Sequence, residues 1–317
     1  MFNYKKKAAL MSALLFASGA ALADYPEKPI TLIVGFSAGG GTDVMARNVA
    51  PYVEKYLGND ASIVVKNVPG ASGQIGITEV AHSDPDGYTI GTYNLPGMMA
   101  RTLDRDAKYT ADSFTFLANI VSDPNVIVTS KKSGITSAQE LIEAAQKAPR
   151  SITVGMSSLG GDDHLGLTKF QKITDTEFTI IPFKGSSAAR TAILGGHVAA
   201  GVLNISEVAA FKDELNVIGV AQAKRSEFAP DIKTFKEQGV DFVNGALRGF
   251  VAPAGLPADV ELKLLEAFNK AASDPELLAK MKATANPVEA SIGSDFKQLN
   301  NDLYDLAKQV WETTPWK

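Results

Sequence analysis

Ile30-Thr31-Leu32-Ile33-Val34-Gly35-Phe36, running straight into Ser37-Ala38-Gly39-Gly40-Gly41-Thr42-Asp43, is the stretch that decides the fold. Its first half is an apolar run rich in β-branched residues, the pattern of a strand buried on both faces. Its second half is a glycine-rich turn. Beyond the turn, Ala46, Val49, Ala50, Val53 and Leu57 fall on one face of a helix that Gly58 ends. Pro51 lies inside that helix and predicts a kink. Strand, Gly/Ser loop and helix in that order form the repeating unit of an α/β protein.

The unit recurs along the chain. Ile63 to Lys66 reads as a strand, Pro69 to Gly76 as its loop and Ile77 to Ala81 as a short helix. Asp84-Pro85-Asp86-Gly87 is a tight turn into a strand over Tyr88–Tyr93. After Asp123-Pro124 the alternation resumes with a strand over Val126–Thr129 and a capping box at Ser137-Ala138-Gln139-Glu140. Ile152–Met156 leads into Ser157-Ser158-Leu159-Gly160-Gly161-Asp162-Asp163-His164 and a helix. Phe178–Phe183 leads into Lys184-Gly185-Ser186-Ser187 and another, and Val198–Leu203 and Val217–Ala221 are further strands. Beyond Arg248-Gly249-Phe250-Val251 the chain turns helical, with apolar stripes at Val260, Leu264, Leu265, Phe268 and Ala272 and at Phe296, Leu299, Leu303, Leu306 and Val310. Two such series predict two similar α/β lobes, each a mainly parallel sheet flanked by helices, with the terminal helices returning to the first lobe.

Composition narrows the chemistry. The chain has 317 residues, 45% hydrophobic and 21% charged, which fits a folded protein of about two domains. It has no cysteine, which excludes disulfides, thiolate metal sites and a cysteine nucleophile. Its three histidines (His82, His164, His197) are scattered, and a net charge of −4 argues against a nucleic-acid partner. At the N-terminus, Lys5, Lys6 and Lys7 precede an apolar run from Ala8 to about Ala17, and Ala21-Leu22-Ala23 offers a small-x-small cleavage site. That pattern predicts a signal peptide over 1–23, cut after Ala23, and a periplasmic product. The run is shorter than the ~20 residues that a spanning helix needs.

In open α/β sheets, ligands bind beyond the carboxyl ends of the strands, where helix N-termini present free N–H groups. Four Gly/Ser loops stand at such ends here, two in each half, and together they predict a shared anion site. Gly39, Gly40 and Gly41 let backbone N–H groups approach a ligand, and Thr42, Ser157, Ser158, Ser186 and Ser187 add hydroxyl donors. No G-x-x-x-x-G-K-[ST] or G-x-G-x-x-G is present, and the serines after Gly155 miss the G-x-S-x-G spacing. His164, in the first turn of a helix, reads as structural or ligand-contacting rather than as a base. Asp162-Asp163 reads as a helix start rather than as a metal cluster.

Tyr25-Pro26-Glu27-Lys28-Pro29-Ile30, the Ile33–Asp43 segment, Asn67-Val68-Pro69-Gly70-Ala71-Ser72-Gly73, Pro85-Asp86-Gly87-Tyr88-Thr89, Phe183-Lys184-Gly185, Gly195-Gly196-His197-Val198 and Arg248-Gly249-Phe250-Val251-Ala252-Pro253 occur in this order. The ordered set resembles the Bug family, the periplasmic solute receptors of tripartite tricarboxylate transporters. The resemblance implies a type II "Venus flytrap" with lobe 1 at 24–123 plus 249–317, lobe 2 at 124–248, and crossings near Asp123–Asn125 and Ala246–Phe250. It implies a small organic carboxylate, di- or tricarboxylate, held without chemistry and without cofactor or metal. It also implies delivery to a large and a small transmembrane subunit by a monomeric receptor. A ligand-sensing subunit and a secreted hydrolase on the same fold are the alternatives.

Carried over by position, the resemblance implies that Phe36, Ser37, Ala38, Gly39, Gly40, Gly41, Thr42 and Asp43 grip one carboxylate. Ser157, Ser158, Leu159, Gly160, Gly161 and His164, with Lys184, Gly185, Ser186 and Ser187, would close on it from the other lobe. Asn94 and Asn204, after their strands, would line the cleft. Family members often have an aromatic residue before the second-crossing glycine, where this chain has Arg248, as the tricarboxylate-binding branch can. Arg248 then either reads a second carboxylate or forms an ion pair at the hinge, with Asp241 as a nearby acid.

Overall fold

The computed structural model describes residues 25–313 and 315, so the signal peptide expected over 1–23 lies outside the described residues. The strand that opens the fold is β1 (Ile30–Val34), and the helix after the glycine turn is α1 (Gly41–Leu57). Gly58 ends α1 at φ 69°, which a side-chain-bearing residue adopts only with strain. α1 runs through Pro51 unbroken. Pro51 is exposed, so the carbonyl of Arg47, deprived of its N–H donor, can turn to water.

β2 (Ile63–Asn67), α2 (Gln74–Ala81), β3 (Thr89–Leu95) and α3 (Gly97–Asp104) complete the first series. β4 (Phe114–Ser130) then crosses from one half of the molecule to the other. The second series is α4 (Ala138–Lys147), β5 (Thr153–Met156), α5 (Asp162–Thr174), β6 (Thr179–Pro182), α6 (Ser186–Leu194), β7 (Ala200–Asn204), α7 (Ile205–Val208) and β8 (Leu215–Val220). β9 (Gly245–Pro253) carries the chain back, and α8 (Ala258–Ala272), α9 (Pro275–Ala283), β10 (Val288–Ile292) and α10 (Ser294–Thr313) follow.

The strand order is β2-β1-β3-β9-β4-β7-β5-β6, with β10 and β8 also paired to β4. The parallel core of each series is present as β2-β1-β3 and as β7-β5-β6. The crossing strands add antiparallel ladders: β9 pairs with β3 and β4, and β4 pairs with β7, β8 and β10. Each half has its own core. In the first, Val49 and Val53 of α1 share a cluster with Leu264 and Phe268 of α8. In the second, Phe170, Phe235 and Phe242 meet edge to face. The terminal helices return to the first half, as the stripes predict: Phe296 of α10 packs on Phe116, and Asn300 accepts a hydrogen bond from the Tyr93 hydroxyl at 3.1 Å.

Gly249 sits between its neighbouring strand β4 and the Phe296 ring of α10. A Cβ there would stand 2.4 Å from the Ala118 carbonyl oxygen and 2.6 Å from the Phe296 ring. Neither neighbour can give way, one being sheet backbone and the other a buried aromatic. Gly249→Ala should therefore cost about 1–3 kcal/mol of stability, read from urea unfolding midpoints. A variant as stable as the parent would show that β9 can shift against β4.

Candidate functional site

Three helices begin at one cleft, and each begins with glycine. Gly40, Gly161 and Gly185 are the N-caps of α1, α5 and α6, and at none of them does a side chain cap the helix. The first N–H groups of α1 and α6 are therefore open to an outside acceptor, and so are those of Asp162 and Asp163 in α5, where only the His164 N–H is already taken, by Asp163. Acids behind the loops hold them in shape. Asp43 accepts hydrogen bonds from the Gly39 N–H at 2.9 Å, the Asn67 amide at 2.8 Å and Arg47 at 3.0 Å. Burial would raise its pKa, but the hydrogen bonds from Arg47, Gly39 and Asn67 win and lower it. In the other half, Asp163 accepts from the Ser157 hydroxyl at 2.7 Å and the His164 N–H at 2.9 Å. Burial and the neighbouring Asp162 push Asp163 up to about 7.

Between these loops lies a cavity with about 60 Å³ open to the centre of a water molecule. Its wall includes Phe36, Ser37, Gly40, Gly41, Thr42 and Asn94 from the first half. From the second come Ser157, Ser158, Gly161, Lys184, Gly185, Ser186, Ser187 and Asn204, with Arg248 at the crossing. Ala38, Gly39, Asp43, Leu159, Gly160 and His164 are not part of that wall. Asp43 is a loop clamp. Burial first, and then Arg101, lower the His164 pKa to about 4, and its neutral ring accepts the Gly160 N–H at Nδ1 (3.1 Å). Asn94 reaches Thr42 through its amide at 2.7 Å.

Arg248 is buried, and protein groups take both of its terminal nitrogens. Nη1 pairs with Asp123 and donates to the Ser206 hydroxyl at 3.2 Å. Nη2 donates to Asn204 at 3.0 Å and to Glu207 at 3.3 Å. The acids at the hinge are thus Asp123 and Glu207; Asp241, the acid anticipated from its nearness in sequence, is exposed. Burial raises the pKa of both acids, with Arg248 opposing, while the two acids together hold the guanidinium charged against its own burial.

The sequence reading missed Leu95, Gly97, Arg101, Asp162, Glu207 and Ala246 on the wall. Arg101 carried a signal: it is a lone arginine in the apolar segment Gly97-Met98-Met99-Ala100-Arg101. It is 1% exposed and donates to the Gly97 carbonyl at 2.8 Å, the Ser158 hydroxyl at 2.6 Å and the Leu159 carbonyl at 2.9 Å. Burial lowers its pKa to about 10. Asp162 faces the cavity, with its carboxylate held by the amides of Asn125 (2.8 Å) and Asn204 (3.0 Å). Among the described residues no cluster of side chains could hold a metal ion, and no helix is long and apolar enough to cross a membrane.

Two α/β halves joined by crossing strands, with an anion-ready cleft between them, define a two-lobe binding protein of type II. The chain belongs to the tripartite tricarboxylate transporter receptor family, whose model matches residues 45–311. It is similar to Protein BugT of Bordetella pertussis, 31% identical over 296 residues that make up 91% of this chain and 90% of that one. The periplasmic binding protein BugD superposes with a TM-score of 0.84 at 27% identity, covering 91% of this chain and 98% of that chain. R. palustris Rpa4515 with adipate does so with a TM-score of 0.84 at 27% identity, covering 92% and 98%. These are solute-binding receptors, and the chain is a receptor rather than an enzyme.

Removing Arg248 would leave Asp123 and Glu207 buried without their cation. Arg248→Ala should lower stability by about 3–5 kcal/mol at neutral pH. The sign of the pH effect follows from the two acids. Without the arginine their folded pKa values rise further above the unfolded ones, so the folded variant takes up protons as pH falls. The deficit should therefore shrink between pH 8 and pH 5, measured as the difference in urea midpoints from the parent. A deficit constant across that range would mean that the acids are not buried as described.

Proposed function

We propose that the chain is an exported receptor that closes on an organic di- or tricarboxylate and delivers it to the transmembrane subunits of a tripartite transporter. One observation carries the carboxylate: the N-termini of α1, α5 and α6 meet in one cavity, and the glycine that starts each has no side chain to cap it. A carboxylate accepts such N–H groups, and helix dipoles favour its charge by about 0.3–1 kcal/mol each. The likeness to a receptor solved with adipate supports the same class. We assign lobe 1 to 24–123 plus 249–317 and lobe 2 to 124–248, closing about the crossings in β4 and β9. The basic, apolar, small-x-small leader supports cleavage after Ala23 and a periplasmic location, and family membership supports a large and a small membrane partner. The absence of cysteine fits that compartment without requiring it.

A ligand that binds only the folded receptor at a hundredfold excess over Kd adds about 2.7 kcal/mol, on the order of 5–10 °C in Tm for a chain of this size. At least one di- or tricarboxylate should give such a shift, and the matching esters should give none. A shift from sugars alone would rule the carboxylate class out.

Gly40 lies close to Ser186 and Ser187 across the cleft, and a Cβ there would stand 3.7 Å from the Ser186 hydroxyl. Gly40→Asp would aim a carboxylate at the start of α6, occupying the place of the ligand's own. Gly40 has φ −81°, so the variant should fold. Binding of the same acid should disappear in calorimetric titration, and retained affinity would move the site elsewhere.

A further inference from the structure

The cavity has two ends, each built from a pair of helix starts that face each other across the cleft. At one end, Gly40 and Gly41 of α1 lie opposite Ser186 and Ser187 of α6. At the other, Gly97 of α3 lies opposite Gly161 at the start of α5: a Cβ on Gly97 would be 3.4 Å from the Gly161 Cα. The neighbours of Gly40 and Gly97 do not overlap. Each end has a buried arginine beside it: Arg248 at the first, its Cζ 2.9 Å from a Cβ placed on Gly41, and Arg101 at the second, 2.7 Å from the same Cβ position on Gly97.

Arg101 and Arg248 are both buried arginines on the cavity wall, and their situations are opposite. Arg248 meets two carboxylates. Both leave Nε without a hydrogen-bond partner, but Arg101 meets only three neutral acceptors, and no ion pair among the described residues includes it. The acids that share the wall are committed elsewhere, Glu207 to Arg248 and Asp162 to the amides of Asn125 and Asn204. A guanidinium buried with no carboxylate in ion-pair reach is costly: Asp163 and Asp104 act on Arg101 only from a distance, and an incoming carboxylate would relieve the cost by contact. Lys184 is also on the wall, but it is exposed and water screens its charge.

We propose that Arg101 reads a second carboxylate of the ligand, the first resting on the N–H groups at the Gly40–Ser186 end. This rests on the carboxylate reading of the cleft and sharpens it: the receptor selects acids with at least two carboxylates, and Arg101, not Arg248, makes the selection. Because Arg101 is on α3 and its partners Ser158 and Leu159 belong to the opposite lobe, a carboxylate seated on it also ties the lobes together.

Calorimetric titration of the mature protein with succinate, glutarate, adipate and citrate, and with butyrate, pentanoate and hexanoate, tests this. The parent should bind the best polycarboxylate more tightly than any monocarboxylate. Arg101→Gln should weaken that polycarboxylate about 30- to 1,000-fold while changing monocarboxylate binding by less than about threefold. Arg101→Lys keeps the charge but not the fork, and should show a smaller loss, again confined to polycarboxylates. If Arg101→Gln fails to fold by circular dichroism, the lysine variant carries the comparison. Equal losses for both ligand series, or a parent that binds monocarboxylates as tightly, overturns the role of Arg101 and leaves the receptor reading standing. No binding of any acid in either series overturns the carboxylate reading of the cleft, and the inference with it.

Discussion

The buried charge cluster of Arg248 with Asp123 and Glu207 is the constraint on which the geometry of the cleft depends. Arg248 is on β9 and Asp123 on β4, so the pair joins the two strands that cross between the lobes. Through Asn204 and Glu207 the same guanidinium grips the end of β7 and the start of α7. Its flat face lies against Gly41, where a Cβ would come within 2.9 Å of Cζ. One side chain thus touches both crossings, the wall of the second lobe and the first turn of α1. Burying three charges is expensive, and such clusters add less to net stability than to the definition of one arrangement. Here that arrangement is the relative placement of the two lobes' loops at the crossing.

The cleft separates holding from reading. Acids hold the loops from behind: Asp43 fixes the Gly39 turn, and Asp163 fixes Ser157 and His164. The front is left to backbone N–H groups and hydroxyls, which favour an anion without presenting a side chain of fixed length. Glycine at the helix starts is what permits this, because a capping side chain would occupy the N–H groups that a ligand needs. The one histidine in the region follows the same division. Its ring accepts the Gly160 N–H and stays neutral, shaping the turn from behind the wall.

Much of the fold was legible because it is local. Apolar β-branched runs, glycine ends and helical stripes mark most elements of both series to within a residue or two. The misses have particular causes. The strand read over Val126–Thr129 is only the last part of the long β4, which already includes Asp123-Pro124, where Pro124 pairs with Gly245 at the start of β9. The start of α9 was marked by Asp274-Pro275, with the Asp274 carboxylate capping Glu276 at 2.8 Å and proline in the first turn, but no apolar stripe drew attention to it. β10 is half-exposed and shows too weak a pattern to be found from the sequence.

The sequence by itself determined the α/β alternation, the Gly/Ser loops at strand ends and, through their order, the family. Those features are set by neighbours in the chain, and the anion preference of a helix start needs nothing from farther away. Which loops meet, and what each charged side chain does there, only the tertiary structure decided. The partners of Arg248 are 125 and 41 residues distant, while the acid anticipated from nearness in sequence points to solvent. Arg101 was given no role by the sequence, and the fold buries it at the cleft with no carboxylate in ion-pair reach. A guanidinium braces or reads according to which anions lie within a few ångströms, and in this chain folding alone brings those anions near or keeps them away.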